Sequence, residues 1–139
     1  MSLSRRQVSP LTEKIKLRAL ACFVSQLAPS NLKSVGTAGE NNDHEELVAA
    51  FVHAASRAGW IVPFDWATWA ESAEGQRLLG EPRHVAAATP DQLAKVLTTL
   101  VRGERFSEGT LSEALESGLL LAIARRAEAL LDMHEAATR

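Results

Sequence analysis

"LVRGERFSEGTLSEALESGLLLAIARRAEALL", Leu100 to Leu131, combines four arginines, interspersed glycines and an apolar run from Leu119 to Ala124. That run is too short for a membrane span, which needs about 20 residues. It is apolar on every side, so it must be surrounded by protein. Ser107 can cap a last helix reaching to about His134, with Gly109 and Gly118 inside it. Each interior glycine costs roughly 1 kcal/mol relative to alanine. Close approach of a partner helix is the expected compensation, which makes this segment a buried, glycine-containing C-terminal helix at the centre of the fold.

Working outward, Thr89, Pro90 and Gln92 form a capping-box pattern. Behind it Leu93, Val96, Leu97, Leu100 and Val101 recur at helical spacing up to Gly103. "RLLGEPRHVAAA" reads as irregular, with room for one helical turn. Upstream, Asp65 is a plausible N-cap for a short helix carrying Trp66 and Trp69. Asp43 should start a helix whose buried face is Leu47, Phe51, Ala54, Ala55 and Ala58, closed by Gly59. Ser9 and Pro10 open a first helix running to about Ala28, with Leu11, Ile15, Ala19, Cys22 and Phe23 as its buried stripe. The long polar stretch at about 29–42 reads as a loop. Strand-like alternation is absent from this reading, and the expected fold is all-α: a single compact bundle of five or six helices over 9–139, preceded by a flexible tail at 1–8.

The chain has 139 residues, 46% of them hydrophobic and 23% charged. That is the size and composition of one globular domain with its own core. A net charge of −2 removes the global field that draws a protein onto a polyanion, so nucleic-acid association is not favoured. Cys22 is the single cysteine, and its apolar neighbours suggest a buried helical position. With no signal-like apolar run behind "MSLSRRQ", a cytoplasmic location is expected, without a membrane partner.

Catalytic motifs are missing where they would have to be. In "NDHEELV" a zinc-protease helix needs a histidine four residues after His44, and that position is Val48. The other histidines, His53, His84 and His134, show no ligand spacing, so no metal or cofactor is expected. "GTAGE" lacks the lysine and hydroxyl residue that end a phosphate-binding loop, and no serine occupies a nucleophile elbow. Two clusters remain as binding candidates. Trp60, Trp66 and Trp69 could line a pocket or plug the core. Arg102 and Arg105 could converge with Arg125 and Arg126 on a carboxylate or phosphate, or pair with Glu104, Glu108, Glu113 and Glu116.

The segment from Leu97 to Arg126 resembles a bacterial family of small helical proteins of unknown function (DUF6508-like). The resemblance rests on Arg102, Arg105, Phe106, Gly109, Leu111, Gly118, Arg125 and Arg126, together with the tryptophan-bearing "FDWATW". It spans roughly Phe64 to Arg126, the C-terminal half. The resemblance implies a helical fold and no activity.

Three functional readings follow. The first is a protein-interaction or regulatory module whose partner is itself, as a homodimer, or another protein. The second is a small-molecule or anion binder, or an enzyme, built on Trp66, Trp69, Arg102, Arg105 and Glu108. The third is nucleic-acid association. No catalytic residue is assigned, and a buried Phe106 is expected to anchor the turn between the last two helices.

Overall fold

The computed structural model describes residues 10–28 and 40–137. Every regular element in them is helical: α1 (Pro10–Ala21), α2 (Val24–Leu27), α3 (Glu40–Ala58), α4 (Trp66–Glu71), α5 (Ala73–Gly80), α6 (Pro82–Val85), α7 (Pro90–Glu104), α8 (Thr110–Ser117) and α9 (Leu119–Ala137). The all-α class therefore holds. The segments outnumber the expected five or six because the chain breaks more often than its periodicity suggests. Ser9, the tail at 1–8 and most of the loop at 29–42 lie outside the described residues.

The largest departure is at the C-terminus, where one helix was expected. Gly109 and Gly118 both have left-handed backbone, at φ +101° and +90°, so neither lies inside a helix. Gly109 precedes the first residue of α8, and Gly118 ends α8 while the N–H of Ala122 already bonds to its carbonyl at 2.9 Å to begin α9. A Cβ at Gly118 would meet nothing within 4 Å. The glycine is there for its torsion angles, not for close packing. Left-handed backbone costs a non-glycine residue roughly 1–2 kcal/mol, which explains the glycine without a partner helix.

α9 is the hub, touching α1 along its length and also α2, α6 and α8. Leu119, Leu120, Ile123, Ala124, Ala127 and Leu131 are buried on it. α7 is the second hub, packed on α4, α5 and α8, with Leu93, Ala94, Val96, Leu97 and Leu100 buried. α3 joins α1 and α8, and Phe51 meets Phe23 edge-on with ring centroids 5.2 Å apart.

Smaller departures are local. α3 begins at Glu40, so Asp43 sits inside the helix and not at its cap. α1 stops at Ala21 and a tight bend through Cys22 and Phe23 leads into α2, which leaves Cys22 exposed and turns Leu17, Leu20 and Phe23 into the core. Ile15, assigned to the buried stripe, is 54% exposed. The stretch read as irregular between Arg77 and Ala88 is mostly helical, because Ser72 caps α5 through the N–H of Gly75 and Pro82 starts α6.

Candidate functional site

Asp65 caps α4 as expected, accepting from the backbone N–H of Thr68 at 3.2 Å and from its hydroxyl at 2.7 Å. These two bonds, the hydroxyl's first, hold its carboxyl below the ordinary aspartate range. The cap fixes the start of α4 and with it Trp66. After α7 the chain turns tightly, the N–H groups of Phe106 and Ser107 both bonding to the carbonyl of Gly103 at 3.0 and 2.8 Å. That turn brings Phe106 over Trp66, ring centroids 5.8 Å apart and planes tilted by 34°.

Phe106 is 80% exposed, so the buried anchor expected at this turn is not there. The aromatic pair instead edges a groove of about 640 Å³ between α4, α5, α7 and α8. Leu79, Leu100 and Leu119 give it an apolar lining, Ser107, Thr110 and Ser117 supply hydroxyls, and Glu113 is its one charged lining residue.

Only part of the anticipated pocket is assembled here. Trp66 lines the groove; Trp69 does not, being buried with its indole N–H donated to Glu74 at 2.9 Å. The other oxygen of Glu74 accepts from Gln92 at 2.5 Å, so one carboxylate ties α4 and α5 to the start of α7. Those two bonds, Gln92's first, hold Glu74 below the usual glutamate range. Trp60 is a core plug whose indole N–H donates to the carbonyl of Lys16 at 2.8 Å.

The arginines divide. Arg102 and Arg105 are absent from the groove lining, and neither forms an ion pair with Glu104, Glu108, Glu113 or Glu116 among the described residues. Glu104 is turned to the start of α8, where it accepts from the N–H groups of Gly109 at 3.2 Å and Leu111 at 2.9 Å. Glu108 lines a separate groove of about 460 Å³ against α3, beside Glu45 and Glu104. Arg125 and Arg126 line another groove, against α6.

Among the described residues no three histidine, cysteine or carboxylate side chains are grouped to hold a metal ion. His84 Nδ1 lies 2.9 Å from the carbonyl of Arg77, and Cys22 Sγ donates to the carbonyl of Ala19 at 3.4 Å. No helix among them is long and apolar enough to cross a membrane.

Sequence reasoning missed two buried contributors. Thr98, inside the apolar face of α7, accepts from the N–H of Val62 at 2.9 Å and donates to the carbonyl of Trp60 at 3.3 Å, holding the link before α4. Gly75, unremarked among the glycines, sits where a Cβ would collide with the Trp69 carbonyl. A threonine among leucines was the available signal for the first, whereas nothing in the sequence marks the second.

No curated protein and no solved structure matches the chain. A family profile does, over residues 13–133, reaching from α1 to α9 and well beyond the C-terminal half that carried the resemblance. With nearly every element of the bundle inside that match, the chain belongs to the family of unknown function DUF6508.

Proposed function

We propose that this protein is an interaction module and that the Trp66–Phe106 pair, with the groove beneath it, is the surface offered to a protein partner. The exposure of Phe106 carries the reading: a phenylalanine left 80% in solvent on a backbone turn held by Gly103 is poised for contact and contributes little to the core. Apolar surface joined to a groove marks interaction sites, and aromatic residues are enriched among the few that dominate binding energy. The partner supplies an apolar or aromatic side chain to the leucine lining, with polar groups meeting the hydroxyls of Ser107, Thr110 and Ser117. A second copy of the chain is one such partner.

The test separates stability from contact. Phe106→Ala should change stability by no more than about 0.5 kcal/mol, the scale of an exposed substitution. A photo-crosslinking phenylalanine analogue at position 106 should capture a discrete protein in the native cell, whereas the same analogue at Glu128, exposed on α9, should not. A loss of several kcal/mol for Phe106→Ala, or identical adducts from both positions, overturns the reading.

A further inference from the structure

The arginine pair at 125 and 126 takes no part in the aromatic groove, yet it lines one of its own. Between α6 and α9 lies a groove of about 350 Å³ whose apolar lining includes Pro82, Leu121 and Ala122, and whose charged lining residues are Arg83, Arg125 and Arg126. No carboxylate lines it, in a chain whose net charge is −2. The volume falls at the small end of ligand-sized cavities, about 300–1,000 Å³.

The three guanidinium groups differ in freedom. Arg126 is half-buried and donates from Nε to the carbonyl of Ala88 at 2.7 Å, which fixes its side chain while no described residue takes its Nη atoms. The side chain of Arg125, exposed on α9, makes no hydrogen bond or ion pair with a described residue. Arg83 shares its Nε with Glu81, its neighbour at the start of α6, at 2.6 Å. One fixed and one uncommitted guanidinium beside an apolar wall suit a ligand with an anionic head and a short hydrocarbon body. Guanidinium gives charge-assisted, bidentate bonds to carboxylate or phosphate, and the wall removes the tail from water.

We propose that this groove binds a small soluble amphipathic anion, a carboxylate or phosphate monoester carrying an apolar tail. Its lining shares no residue with that of the Trp66–Phe106 groove, so either proposal can fail alone. Titration of the full-length chain with octanoate and with octyl phosphate, followed by calorimetry and amide NMR, is the test. Both should bind saturably at one site, with shifts centred on Leu121, Ala122 and Arg125. Octanol and inorganic phosphate, which each lack half of the chemistry, should bind at least about tenfold more weakly, the loss of roughly 1.4 kcal/mol. Arg125→Glu should weaken octyl phosphate by a similar factor without unfolding the chain, and Ala122→Trp, which fills the groove, should abolish binding while Phe106→Ala leaves it intact. No saturable binding of either amphiphile, equal affinity for octanol, or an unaffected Arg125→Glu variant overturns the proposal. So does binding confined to phosphatidylglycerol vesicles, which would make the face a membrane contact.

Discussion

A Cβ at Gly75 would run into the carbonyl oxygen of Trp69, so alanine there must push α5 away from the end of α4. Forcing an extra carbon into a packed site costs about 1–3 kcal/mol, and Gly75→Ala should lose that much in a urea titration. Gly118 has the opposite character, with open space at the Cβ position and a φ of +90°. Gly118→Ala should cost roughly 1–2 kcal/mol through the backbone, and Gly118→Leu should cost about the same. A leucine much worse than alanine would restore the close-packing explanation that the sequence suggested. The two cases explain what was hidden at this scale: Gly118 is set by a torsion angle and Gly75 by a tight contact, and the sequence does not say which. Phe106 was hidden for a related reason, since its apolarity pointed inward and only the tertiary turn places its ring on Trp66.

Helix boundaries were legible where side chains write them into the chain. Thr89 and Gln92 form the expected capping box of α7, Thr89 accepting from Gln92 N–H at 3.1 Å and Gln92 accepting from Thr89 N–H at 2.9 Å. α1 was harder, because its apolar residues are spread around the helix and its neighbours α3 and α9 decide which of them are covered. At the same scale lies the knot of Trp69, Glu74 and Gln92, which joins three helices through one carboxylate. Hydrogen bonds hold the folded-state pKa of Glu74 below its unfolded value, so its contribution is complete above the ordinary glutamate range. It is lost as pH falls through the depressed folded value. Wild type should therefore lose stability relative to Glu74→Gln as pH drops below about 4, the usual glutamate range, while the difference between them stays constant from pH 5 to 7. A constant difference down to pH 2.5 would mean that the bonds do not favour the ionised form.

At the scale of the molecule, the elements could be read more readily than their arrangement. The expected C-terminal helix at the centre of the fold had an unnamed partner; α9 lies chiefly along α1, from the far end of the sequence, while α7 lies along α4, α5 and α8. Sequence periodicity says which face of a helix is buried and is silent on what covers it. The two hubs are nevertheless fastened together. α8 touches both; Arg126 on α9 bonds the carbonyl of Ala88 just before α7; and Thr98 on α7 holds Trp60, whose indole grips α1. Damage to one hub should therefore be felt by the other. Leu120 is fully buried in α9, and its truncation to alanine should cost about 2–5 kcal/mol. That is a large share of the roughly 5–15 kcal/mol that holds such a domain together. If the hubs are one cooperative unit, Leu120→Ala in a Trp60→Phe background should shift the midpoints of far-ultraviolet circular dichroism and tryptophan fluorescence equally, since the remaining Trp66 and Trp69 report from the α7 side. A fluorescence transition left in place while the helical signal moves would show two units that melt separately, with the Arg126, α8 and Thr98 contacts too weak to couple them.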